Sequence, residues 1–218
     1  KALAHYQDFL RKNPKSNEVR LEYAKALTNL KKFNEAKKQF LKLVNSSLAS
    51  SEISLTVALL AIELGDSNLA EKYFMQSLKR GYPKPSQIYI YLAGIFDNRG
   101  DFDEALTWLK KVTSINDEYF IDSKILMSEY IAKYNSVDAA IEMLTSLKKK
   151  RLSSSERLII LRNKASLLLS EKRTQDAYDL MIKAEEEFKD SPEFKFDYAM
   201  IVEKMGNTLM MEQLLLEA

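Results

Sequence analysis

The stretch Gly100-Asp101-Phe102-Asp103-Glu104-Ala105-Leu106 returns along the whole chain. Near copies are Lys31-Lys32-Phe33-Asn34-Glu35-Ala36-Lys37 and Gly65-Asp66-Ser67-Asn68-Leu69-Ala70-Glu71, and looser ones begin at Asn135, Lys172 and Gly206. Aligned on one position, the copies put Ala2, Ala36, Ala70, Ala105, Ala140, Ala177 and Met211 in register, at spacings of 34, 34, 35, 35, 37 and 34 residues. A fixed period of this length marks a repeat architecture, in which each unit buries its apolar face against the next.

Two further columns test that register independently. Twelve residues before the anchors stand Ala24, Ala58, Ala93, Ser128, Ala165 and Ala199, all small, although only 19 of the 218 residues are alanine. Four residues after them stand Tyr6, Phe40, Phe74, Leu109, Leu144, Met181 and Leu215, all large and apolar. Close packing explains both columns. Antiparallel helices approach each other only where both present small side chains, and a large residue one turn further fills the space the approach opens.

Between the columns the apolar spacing is helical, as in Tyr89, Leu92, Ala93 and Phe96, and no segment sustains the alternation of a strand. Gly100 suits the left-handed residue that closes a helix, Ser191-Pro192 the start of another, and Ser153 with Glu156 a capping box. Lys148 to Arg151 read as cations that end a helix. Five glycines and four prolines are too few for an all-β chain rich in turns. The expectation is an all-α fold of thirteen helices.

Composition narrows the chemistry. Without cysteine the chain has no disulfide, thiolate ligand or cysteine nucleophile, and a single histidine, His5, removes most transition-metal sites and histidine-based triads. No cofactor and no metal site is expected. Thirty-three basic against thirty-one acidic residues give a net charge of +2, with no electrostatic footprint for nucleic acid or an anionic membrane. No apolar run reaches the roughly 18 residues of a spanning helix. The chain opens on Lys1 and not on methionine, so it reads as an excised fragment, and any targeting segment would lie outside it.

The pattern resembles the tetratricopeptide repeat. Tyr89, Leu92-Ala93, Phe96, Gly100, Asp101, Phe102, Ala105, Leu109 and Val112 follow that motif best, while the terminal proline is absent or displaced in several repeats and Met211 replaces the anchor alanine. The resemblance implies a right-handed α-solenoid of antiparallel helix pairs in a single array over residues 1–218. Residues 1–16 would be the second helix of a truncated repeat. Repeats would follow at 17–50, 51–85, 86–120, 121–157 and 158–191, with an incomplete one at 192–218. The stretch Asp197 to Gly206 is more similar to bacterial envelope repeat proteins than to eukaryotic co-chaperones, which favours a periplasmic or outer-membrane-attached location over the cytoplasm.

The resemblance also implies a concave groove lined by the first helix of each repeat. Its sites would be Leu21, Leu55, Ile90, Ile125, Arg162 and Phe196 in one column. Lys25, Leu59, Gly94, Glu129, Ser166 and Met200 form the next, and Thr28, Ile62, Asp97, Ala132, Leu169 and Glu203 the third. With Asn163, the candidate ligand-binding set is Leu21, Lys25, Leu55, Leu59, Ile90, Asp97, Ile125, Glu129, Arg162, Asn163, Phe196 and Met200. The family's carboxylate clamp requires a set of Lys, Asn and Arg over three repeats. Here Leu21 and Lys25 occupy the first such positions, and Arg162-Asn163 is the nearest fragment of the set. The aliphatics admit two readings, anchors for a partner or packing between neighbouring first helices, and solvent exposure decides between them.

Three functions are weighed on these residues. The first is a non-catalytic scaffold that binds a peptide or helix in the groove. The second is the targeting region of a larger enzyme whose catalytic domain lies elsewhere, since no phosphate loop, metal cluster or nucleophile elbow is present in the sequence. The third is an RNA-binding helical repeat, disfavoured by a near-neutral charge and aliphatics where a code of polar residues is needed. The partner is therefore expected to be protein or peptide, without nucleic acid or direct membrane insertion. Self-association is expected through the apolar ends, at Leu3, Tyr6, Phe9 and Leu10 and at Leu214, Leu215 and Leu216.

Overall fold

The computed structural model describes residues 2–147 and 151–218. Lys148, Lys149 and Lys150 of the proposed cationic helix end lie outside the described residues. Thirteen α-helices, and no strand, occur among the described residues. They run α1 (Ala2–Lys12), α2 (Asn17–Asn29), α3 (Phe33–Leu43), α4 (Ser51–Glu63), α5 (Ser67–Lys79), α6 (Pro85–Asn98) and α7 (Phe102–Lys110). Then come α8 (Phe120–Tyr134), α9 (Val137–Ser146), α10 (Ser154–Ser170), α11 (Thr174–Phe188), α12 (Pro192–Lys204) and α13 (Thr208–Glu217). The fold is all-α, of the solenoid class, and falls into two compact units, Lys1–Asp101 and Phe102–Ala218.

Sequence punctuates the helices by one recurring device. Gly100, at φ +79°, donates its backbone N–H to Asp97 O (2.9 Å) while Asp101 N–H reaches Phe96 O (2.9 Å). These two bonds satisfy carbonyls that the end of α6 leaves open, and the left-handed φ costs glycine nothing. The same pair of bonds recurs with a side chain in the left-handed position. Lys31 (φ 56°) and Lys172 (φ 59°) take glycine's place, with Lys32 N–H on Leu27 O (2.9 Å) and Arg173 N–H on Leu168 O (3.0 Å). The starts are equally local. Asp66, Ser136, Ser191 and Asn207 each accept a backbone N–H three residues on. At α10 Ser153 and Glu156 complete the reciprocal capping box.

In the first unit successive helices from α1 to α6 pack on one another. Ala24, Ala36, Ala58 and Ala70 are fully buried, with Phe40 and Phe74 behind them. Arg80, just past the end of α5, donates to Val44 O (2.9 Å) and Ser54 Oγ (2.7 Å), so one guanidinium ties α4 to the carbonyl end of α3. Buried Arg20 plays the same part on α2, reaching Gln39 Oε1 (2.8 Å) and Pro14 O (2.5 Å). Each planar fork reaches two acceptors at once and so fixes the position of one helix against the next.

The second unit repeats the plan. Ala140 and Ala177 are fully buried beside Leu144 and Met181, and α12 adds Phe194, Tyr198 and Val202 to the core. The helices pack in sequence, and α10 also contacts α8 and α12. At Ser128 the small column acquires a second role, since its buried hydroxyl lies 2.6 Å from Ile125 O and 2.8 Å from Asn163 Oδ1, tying α8 to α10. The registers of α1 and α13 are the loosest. Ala2 and Leu215 are exposed, and no residue of α13 is buried.

Candidate interaction clefts

A helix shows one face to its pair and another to the helix one repeat away, so residues three and four apart collect on each face. In the second unit this brings α8, α10 and α12 together around a cleft of about 440 Å³. Ile125, Arg162, Asn163 and Met200 of the candidate set line it, with Ile159, Ser166 and Leu169 beside them. The wall is apolar and only partly covered. Ile125, Leu169 and Met200 are half-buried, and Ile159 is exposed. Phe196, on α12 one turn before Met200, is 51% exposed.

The charges there are few and mostly settled. Arg162 pairs with Asp197 across α10 and α12, through Nε to Oδ2 and a second contact from Nη2 to Oδ1 of 3.4 Å. Glu129, one turn after Ile125, is exposed, yet partial desolvation raises its carboxyl above its ordinary value.

In the first unit Leu21, Lys25 and Thr28 of α2 face Glu52, Ile53 and Thr56 of α4 across a cleft of about 420 Å³, floored by Phe40 and Leu48. Leu21 is half-buried, and Lys25 is exposed and paired with Glu22 at 2.8 Å. The remaining candidates are spread along α4 and α6. Leu59, Ile90 and Asp97 are half-buried. Leu55 is only 8% exposed, so its side chain is spent on packing inside the unit.

The exposure question thus has a different answer at each position. Ile90 and Ile125 keep surface, whereas Leu55 does not. Periodicity placed all three in one column, but how far neighbouring helices cover a column is a tertiary matter. Sequence reasoning also missed residues. Ile159, one turn before Asn163, and Asp197, which neutralises Arg162, become part of the site only when α10 and α12 lie side by side. Among the described residues no three His, Asp or Glu side chains are placed to hold a metal ion.

Paired helices with a small-residue interface, stacked so that their first helices share an open apolar cleft, define an α-helical repeat scaffold. Residues 55–118 match the model of the tetratricopeptide repeat family. Solved structures agree over nearly the full length. A tetratricopeptide repeat protein from Parabacteroides merdae is 13% identical, with 99% of this chain and 90% of that one covered at a TM-score of 0.61. PilW, a type IV pilus biogenesis factor, is 18% identical over 91% of this chain and 88% of its own, at 0.56. YrrB, a tetratricopeptide repeat protein with an unusual peptide-binding site, is 10% identical over 95% and 96%, at 0.56. No curated protein sequence matches the chain. Residues 55–118 thus carry the tetratricopeptide repeat, and the chain as a whole has the fold of tetratricopeptide repeat proteins. Repeats of this kind form a protein-interaction scaffold, in general a non-catalytic one, whose partners are proteins or peptides. No helix among the described residues is long and apolar enough to cross a membrane.

Proposed function

We propose that the chain is a non-catalytic scaffold that captures a peptide or partner helix against its first helices. The observation that carries this reading is the cleft on α8, α10 and α12. Four residues singled out from the sequence converge there, on an apolar wall that is half open to solvent. Such a surface is largely pre-formed, so the scaffold loses little ordering entropy on binding. The half-buried Leu21, Leu59 and Ile90 extend the same character into the first unit, with Lys25 and Asp97 at the polar edge. YrrB, a structural relative with a peptide-binding site, makes the reading natural for this fold.

On this reading the repeats run over 17–50, 51–85, 86–120, 121–157, 158–191 and 192–218, after the second helix of a truncated repeat at 1–16. PilW, named for pilus biogenesis, favours a place in the bacterial envelope. Exposed Phe9 on α1 and Leu209 and Leu216 on α13 are the surfaces through which copies would associate. Sedimentation from low to high micromolar concentration tests that, and a monomer throughout refutes it.

For the groove, displayed random 12-residue peptides are selected on the immobilised full chain and mapped by amide-exchange protection. Protection on α8, α10 and α12, lost in Ile125→Asp with helicity intact, is the expected result. Protection confined to the second helices α9 and α11, or peptides that bind Ile125→Asp as well as the parent, would overturn the reading.

A further inference from the structure

Beside the apolar wall of the cleft in the second unit, one turn along α8, stands an unbalanced charge. The basic side chains on the three helices that build it are engaged elsewhere. Lys124 donates to Val112 O (2.9 Å), Lys133 lies 4.6 Å from the Tyr134 ring, and Lys195 donates to Glu217 O (2.9 Å). On α10 Arg157 turns to Glu187 (2.5 Å) and Leu152 O (2.6 Å), and Lys164 is buried against Thr145 Oγ1 (2.7 Å). Lys204, in the last turn of α12, is exposed beside Glu203 and offsets it. The one cation on the cleft wall, Arg162, is neutralised by Asp197.

The acidic side is not balanced in this way. Glu129 lies one turn from Ile125 on the same face of α8 and makes no ion pair among the described residues. Apolar contacts and uncompensated negative charge therefore lie side by side around Ile125. Binding a partner would desolvate Glu129 further, and an anionic or uncharged ligand offers that carboxylate nothing in return. A cationic side chain does, and complementary charge also speeds and orients the encounter.

We infer that this cleft takes a peptide segment bearing an apolar side chain close to a lysine or arginine, with the apolar group against Ile125, Leu169 and Met200 and the cation against Glu129. This assignment is opposite in sign to a carboxylate clamp, which needs free cations in the groove. It rests on the groove reading above and specifies its ligand.

The test uses the same peptide selection on the full chain, followed by fluorescence-polarisation titration of the selected peptides. Glu129→Gln and Glu129→Lys are the variants, with Ile125→Asp as the groove control. The expected peptides join an apolar residue to Lys or Arg. Their affinity should fall severalfold in Glu129→Gln and about tenfold or more in Glu129→Lys, while Ile125→Asp abolishes binding. Replacing the basic residue of the peptide by glutamine should weaken the parent but not Glu129→Gln. If the selected peptides are acidic or uncharged, or if both Glu129 variants bind like the parent while Ile125→Asp fails, the groove reading stands and this inference falls. If no peptide is retained, or if Ile125→Asp binds normally, both fall together.

Discussion

Ala70→Leu tests the repeat register at its tightest point. Ala70 is the anchor of α5, fully buried, one turn before fully buried Phe74. It belongs to the pair in which α5 packs on α4, whose own small-column residue, Ala58, is also fully buried. The leucine puts an isobutyl group in place of a methyl where no surface is open. Forcing extra methylenes into a filled site costs about 1–3 kcal/mol. For a chain of this size each kcal/mol lowers the melting temperature by roughly 2–4 °C, so the drop should be about 2–12 °C. The assay is thermal and urea unfolding followed by circular dichroism at 222 nm. Met75→Leu is the control, since Met75 is exposed on the same helix. It should move stability by less than about 0.5 kcal/mol. An Ala70→Leu protein as stable as its parent would mean that the α4–α5 contact is not closed at this position, and the argument from the small column would fail.

Three other outcomes follow from particular contacts. Lys31→Gly and Lys172→Gly should each stabilise by about 0.5–1 kcal/mol, because the left-handed φ is strained for a side chain and free for glycine; unfolding midpoints that do not rise would refute the strain. Phe196→Asp, at an exposed site, should leave stability within about 0.5 kcal/mol while weakening peptide capture, whereas Leu55→Asp buries a charge and should collapse the unfolding midpoint. Glu156 is held below its ordinary value of 4.5 by the backbone N–H and hydroxyl of Ser153. A depressed folded pKa stabilises above the unfolded value and is lost as pH falls through the folded one, so Glu156→Gln should be less stable than the parent at pH 7 and converge with it below pH 4.5. A stability difference that is constant across that range would show that the capping box is not formed.

The number and type of the helices, their stops at Gly65, Gly100 and Gly206, and the core columns at Ala36, Ala70, Ala140 and Ala177 were all determined by the sequence alone. The reason is that these features are local or strictly periodic. A left-handed residue, a capping side chain and a small-large pair four residues apart act within one or two turns, and repetition multiplies a weak signal until it stands out. Lys31 and Lys172 show the margin of that legibility, because two backbone bonds closed the helix without the glycine that usually announces it. The site was legible only as a set of columns. Which members kept exposed surface depended on how far each neighbouring helix covered them, and this left Ile125 half-buried but packed Leu55 away. Charge behaved likewise. Arg162 and Asp197 lie 35 residues apart and cancel, while Glu129 has no ion-pair partner among the described residues, and only the placement of α8, α10 and α12 decides which carboxylate is left unpaired. Coulomb pairing and burial act across space between elements, and a one-dimensional period carries no record of those distances.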